Sequence, residues 1–264
     1  MAGHALPPTI LAQGAAMWRA VITDFQAAGA HVRTTRDARI EPISDVDTIA
    51  VESTDDFHDA FDRQAAWADA VLVIAPEFDD ALASLLDRLA ALGARSLGSD
   101  PAAVRLCSDK LALAHHLARH HVPTPATTMW HAGEIIHRPT ILKPRSGAGC
   151  ERTFIVYDEE QAAEVGVDGQ TIMQTLSRGR PVSASYLVRG GRPTPLLAGR
   201  QFVHGERCFT YHGGRIPLPD TLARRAVALG AKAIETIDGL AGYVGVDMVL
   251  SDDPTADTVI EINP

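Results

Sequence analysis

Apolar residues recur at helical spacing over residues 10–28 and again over 55–67, with a polar, Arg- and Asp-rich stretch between them and one weak strand at 48–51. Residues 70–75, AVLVIA, form a short continuous apolar run, the mark of a parallel strand buried on both faces. A helix follows over 79–92, stopped by Gly93. Helices alternating with short strands over the first hundred residues predict a small doubly wound α/β unit. Ser99-Asp100-Pro101 marks a boundary, so the chain divides into a first domain over 1–100 and a second over 101–264. In the second, Ser108 or Asp109 caps a helix over 110–121, which stops before Pro123. Strands are predicted at 140–143, 153–157, 171–174, 182–188 and 194–203, then a long helix at 219–238. This α+β part reads as two lobes, about 108–170 and 171–264.

The last stretch, 242–264, carries the strongest chemical signal. Two apolar runs flank SDDPTAD, a set of turn formers, which predicts an antiparallel hairpin with a loop of about seven residues. A loop centred near Pro254 sets Leu250 against Thr258, Met248 against Ile260 and Val246 against Ile262 on one apolar face. The other face then holds Asp247 opposite Glu261, with Asn263 two residues along. Facing carboxylates repel, and a hard divalent cation such as Mg²⁺ relieves that repulsion with oxygen ligands. A solvated edge face is the plainer alternative.

Two further features bear on chemistry. Between the strands at 140–143 and 153–157 lies a loop with Gly147 and Gly149, entered from Lys143 and Arg145. Backbone N–H groups of such a loop approach phosphate oxygens, and a lysine supplies a point charge; an ordinary hairpin loop looks the same. Glu77 follows the apolar run, where open α/β sheets place ligands, or else serves as an acid at a helix N-terminus. As a ligand group it suits the ammonium of a substrate. Four histidines on the helix over 110–121 read as a polar face and not as a zinc site. Cys150 reads as a small filler.

Composition narrows the field. The chain has 264 residues, 46% hydrophobic and 22% charged, and a net charge of −9. That is an ordinary globular composition, and its sign argues against a nucleic-acid surface. Three scattered cysteines without C-x-x-C spacing point to a reducing cytoplasm. No apolar run approaches 18 residues, so no membrane span is expected. No G-x-G-x-x-G follows a strand, which removes a dinucleotide site, and the Gly loop is not a Walker loop.

Five pieces together are similar to the ATP-grasp superfamily of carboxylate–amine ligases: SDKLALAHHLARHHVPTP, ILKPRSGAGC, IMQTLSRGRPVSAS, LLAGRQ and GVDMVL…VIEINP, spread over about 155 residues. The upstream pieces LPPTILAQGAAM and VIAPEFDDALASL resemble the branch that includes the tyramine–glutamate ligase of methanofuran assembly. The resemblance implies ATP and Mg²⁺ as cofactors, and small-molecule carboxylate and amine substrates joined through an acyl phosphate. It implies that Lys110 and Lys143 contact the phosphates, and that Gly147, Ala148 and Gly149 form a flap over them. Gln174, Thr175 and Leu176 would line the adenine edge. Asp247, Glu261 and Asn263 would hold Mg²⁺, and Arg200 would face the γ-phosphate and the acyl phosphate. Three departures stand out. The first sheet begins a strand late. Arg180-Pro181-Val182 occupies the place where relatives carry an acid for the ribose. The chain stops at Pro264 where relatives continue, so it reads as a fragment. A ligase with another acceptor, or a non-catalytic nucleotide-binding module, are the competing expectations. The state of oligomerisation is left open, a homo-oligomer included.

Overall fold

The structure is a computed structural model; it describes residues 8–147, 150, 152–166 and 168–264, apart from the side chains of residues 8–10, 13 and 78. The expected flap residues Ala148 and Gly149 lie outside the described residues. By internal contacts the chain forms two units, residues up to 74 together with 85–97, and residues 75–84 together with 98–264.

In the first unit, α1 (Pro8–Ala27) leads to β1 (Arg33–Asp37) and β2 (Asp47–Val51), which pair in parallel, and then to α2 (Thr54–Trp67). Ser53 caps α2 by accepting from the Asp56 N–H at 3.1 Å. The strand β1 escaped sequence reading because RTTRD has no apolar alternation. Polar contacts hold it: Trp18 Nε1 donates to Thr34 Oγ1 at 2.8 Å, and Arg33 pairs with Asp47 at 2.6 Å. The run 70–75 is not the buried strand expected. Val71 alone forms a parallel bridge, with Ser96, and Ile74 is 41% exposed. A continuous apolar run says nothing about whether a neighbour is present to pair with it, and here the pairing covers one residue. The described sheet of this unit is two strands wide, with the parallel bridge of Val71 and Ser96 following it along the chain. The helix expected from 79 begins two residues later: Phe78–Asp80 is a one-turn 3₁₀ segment with Asp79 and Asp80 at positive φ, and α3 runs Ala81–Ala91.

The second unit continues with α4 (Pro101–Ser108) and α5 (Lys110–Arg119), capped by Asp109, whose carboxylate accepts from the N–H groups of Leu111 and Ala112. The ring nitrogens of His115 and His116 lie 3.2 and 2.9 Å from the carbonyls of Thr127 and Thr236, so these histidines tie α5 to its neighbours. Next come β3 (Thr127–Met129), β4 (Thr140–Pro144), β5 (Phe154–Val156), α6 (Glu159–Val165) and β6 (Thr171–Thr175). They make a four-stranded antiparallel sheet in the order β3-β6-β4-β5.

A five-stranded antiparallel sheet, β11-β10-β7-β8-β9, completes the unit. Its strands are β7 (Arg180–Arg189), β8 (Arg192–His204), β9 (Thr210–Arg215), β10 (Gly242–Leu250) and β11 (Thr258–Asn263), with α7 (Asp220–Ile234) between β9 and β10. One face buries Val182, Ala184, Tyr186, Val244, Val246 and Met248 against Ala226, Ala233 and Ile234 of α7 and Leu113 and Leu117 of α5. The opposite face carries the alternating polar residues.

The hairpin register agrees with expectation at Val246–Ile262 and Asp247–Glu261, then departs. A bulge between Asp247 and Met248 sets Met248 against Val259, so Val259 enters the core and Ile260 does not. The loop explains the shift. Asp257 is buried and accepts from Arg225 Nε at 3.0 Å and from the Ser251 N–H at 2.9 Å, which pins the loop base. Among the described residues no helix is long and apolar enough to cross a membrane.

Candidate active site

Both sheets of the second unit contribute to one charged cluster. From the four-stranded sheet comes Lys143, fourth residue of β4, paired with Ile172 and 5% exposed. Burial lowers its pKa to about 8, although the charge of Glu261 pulls the other way. Among the described residues its ammonium has no hydrogen-bond acceptor. Lys110 stands at the start of α5, and its Nζ donates to the Gly147 carbonyl at 2.7 Å and to Glu261 Oε1 at 3.0 Å. Gly147 has φ +134, a backbone state that only glycine adopts readily.

From the five-stranded sheet comes Asp247, in one row with Ser183 and Gly199. Its Oδ1 accepts from Gln201 Nε2 at 3.0 Å, its Oδ2 from Asn263 Nδ2 at 3.3 Å, and the Ser183 side chain donates as well. Burial first, then the charge of Glu261, raises the Asp247 pKa to about 6 against those donors. Glu77 sits in the same electrostatic neighbourhood. Burial raises its carboxyl to about 7, with Glu261 and Asp247 pushing the same way and Lys110 opposing. It directly precedes the one-turn segment Phe78–Asp80 that leads into α3.

The remaining expected residues make the following contacts. Gln174 is buried, and its amide donates to Thr127 Oγ1 at 2.9 Å, so the side chain is spent joining β6 to β3. The backbone N–H groups of Thr175 and Leu176 go to the carbonyls of Ala126 and Pro139. Arg200 shares a row with Val182, which in turn faces Met248, so strand alternation sets it on the face opposite Asp247. Its guanidinium lies over the Phe202 ring at 5.5 Å. The neighbouring residue, Gln201, is the one the structure brings to Asp247. Arg145, which the sequence places beside the glycine loop, is bound to the capping carboxylate of Asp109, with Nε at 2.8 Å from Oδ1. Ser183 and Gln201 went unread because their role depends on the registers of β7 on β10 and of β8 on β7, although the Q of LLAGRQ was in view.

The donor chemistry fits ATP and a hard cation. Two carboxylates, Asp247 and Glu261, and the amide of Asn263 supply oxygen atoms of the kind Mg²⁺ takes. Among the described residues no group of three or more His, Cys, Asp or Glu side chains is gathered as a metal site. The ammonium of a buried lysine with no acceptor among the described residues suits an anion. A separate cavity of about 290 Å³ is lined by Phe154, Val156, Glu164 and Arg207 and is without the lysine–carboxylate cluster.

Residues 107–264 match the family described as ATP-grasp domain, and residues 30–104 match the pre ATP-grasp 3 domain; the chain belongs to the ATP-grasp family. It is similar to tyramine–L-glutamate ligase of Methanocaldococcus fervens, 29% identical over 196 residues that cover 74% of this chain and 58% of the relative. The same enzyme of Methanocaldococcus jannaschii is 27% identical over 74% of this chain and 55% of the relative. The chain therefore spans little more than half the length of these curated relatives. Among solved structures, an ATP-grasp superfamily protein from Archaeoglobus fulgidus superposes with a TM-score of 0.79 at 28% identity, covering 99% of this chain and 77% of that one. An L-amino acid ligase from Bacillus licheniformis, 16% identical with a TM-score of 0.67 over 91% of this chain and 62% of that one, shares the fold.

Proposed function

We propose that the chain carries the catalytic centre of an ATP-dependent ligase that joins a small-molecule carboxylate to an amine, releasing ADP and phosphate. The observation that carries this reading is Lys143, a buried ammonium with no acceptor among the described residues, beside facing Asp247 and Glu261. In this reading Lys143 and Lys110 bind the phosphates of ATP, and Asp247, Glu261 and Asn263 hold Mg²⁺. The bound Mg²⁺ supplies positive charge against the oxygens of the transferring phosphoryl group. Lys143 neutralises phosphate charge in a site that excludes water, where the interaction is strongest. Gly147 lets the loop backbone approach the phosphates. Glu77 receives the ammonium of the amine or amino-acid substrate, a role its position beside the cluster supports.

The names of the curated relatives support glutamate as the acid and an arylalkyl amine such as tyramine as the acceptor. No nucleophile or separate base is required of the protein if the carboxylate is activated as an acyl phosphate. ADP release tests the reading: the chain incubated with ATP, Mg²⁺, glutamate and tyramine should form ADP, and should form far less when either organic substrate is omitted. ADP formation that ignores both would remove the ligase reading.

A further inference from the structure

Lys110 holds two groups that a loaded site needs released. Its Nζ donates to the Gly147 carbonyl at 2.7 Å and to Glu261 Oε1 at 3.0 Å, with the two charged side chains only 9% and 20% exposed. The space beside it, lined by Lys110, Lys143, Ser146, Gly147 and Cys150, is about 20 Å³, room for roughly one water molecule. The two metal-ligand carboxylates are also held differently. Neutral donors from Gln201, Ser183 and Asn263 engage Asp247; each uses one lone-pair direction and leaves the charge available to a cation. Glu261 is tied to an ammonium, with a second ammonium, Lys143, acting on it through space. A divalent cation that arrives alone must displace Lys110 and then sit against two buried positive charges. The groups facing this point are Glu77, Asp247, Glu261, Lys110 and Lys143.

Resting on the ATP and Mg²⁺ reading above, we propose that the Lys110–Glu261 ion pair makes metal binding conditional on nucleotide. Phosphate oxygens draw Lys110 away from Glu261, and the same movement frees the carboxylate for the metal. Coupling of this kind is reciprocal, so metal strengthens nucleotide binding by the same factor.

The test is a Mn²⁺ titration followed by electron paramagnetic resonance, with and without ADP, corrected by titrations of ADP without protein. The wild-type chain is compared with Lys110→Met and Lys110→Gln, each checked for fold by circular dichroism. Wild type should bind Mn²⁺ weakly alone and about tenfold or more tightly with ADP. Both variants should bind Mn²⁺ more tightly than wild type without nucleotide, and ADP should add little. A wild-type affinity that ADP does not change overturns the proposal without recourse to either variant. So does equal nucleotide-free affinity in all three proteins. Absence of Mn²⁺ binding in every protein with and without ADP would overturn the metal reading itself, and the ion-pair proposal with it.

Discussion

The two sheets of the second unit prepare their charges in opposite ways. On the five-stranded sheet, Asp247 is framed by three neutral donors from β7, β8 and β11. On the four-stranded sheet, Lys143 is buried with no acceptor among the described residues. The first arrangement is finished before a ligand arrives; the second is completed only by an anion. The difference locates the recognition energy. Preset carboxylates cost stability through repulsion and burial, and an unpartnered ammonium costs stability through desolvation. In the proposed function, phosphate with its metal relieves both costs at once.

The comparison breaks most sharply at the carboxylates. Asp247→Asn or Glu261→Gln should lower ADP formation by about a thousandfold or more, since metal-assisted charge stabilisation is among the largest contributions in phosphoryl transfer. Circular dichroism should show the fold intact. Near-normal turnover in both variants would end their assignment to Mg²⁺. On the cation side, Lys143→Ala should weaken ATP by roughly ten- to a hundredfold, the worth of a charge-assisted hydrogen bond, while adenosine binds as before. Calorimetry with both ligands decides it; equal losses would move Lys143 away from the phosphates. At Glu77, replacement by Gln should raise the apparent KM for the amine-bearing substrate by about tenfold or more and leave that for ATP near its starting value.

The same comparison predicts a pH dependence. The carboxyl of Glu77 is raised to about 7 and that of Asp247 to about 6. Between about pH 4 and 7 the folded chain therefore holds protons that the unfolded chain has released, so stability falls as pH rises through this window. Without nucleotide or metal, Tm should drop between pH 5 and pH 7.5. Glu77→Gln should recover roughly 1–3 kcal/mol at the upper end and nothing at the lower. A flat Tm for wild type would mean that neither carboxyl is raised.

How far the sequence led depends on whether a residue's role is local. Asp247 facing Glu261 followed from alternation and a short loop, and Lys143 from its place beside a glycine loop, while Lys110 came only from the family resemblance. Arg200 and Gln201 are adjacent, and only the register of β8 on β7 says which of them meets Asp247. The closure of the Gln174 side chain on Thr127 was out of reach for the same kind of reason, since β3 is three residues of weak pattern. The run 70–75 failed because pairing requires a partner, and hydropathy does not report one. The smallest expected effect comes from this lesson. Gln201→Leu should cost about 1–3 kcal/mol by stripping a donor from a buried carboxylate, and Arg200→Leu close to nothing. Urea unfolding of the two variants reads the difference, and equal costs would contradict the register argument.

Product analysis tests the central claim most directly. The chain is incubated with ATP, Mg²⁺, glutamate and a mixed pool of amines, and the products are read by mass spectrometry alongside ADP. The account predicts an amide whose mass is glutamate plus one amine less one water, formed one-for-one with ADP and absent with Glu261→Gln. ADP without any amide, or an amide made equally well by that variant, would contradict it.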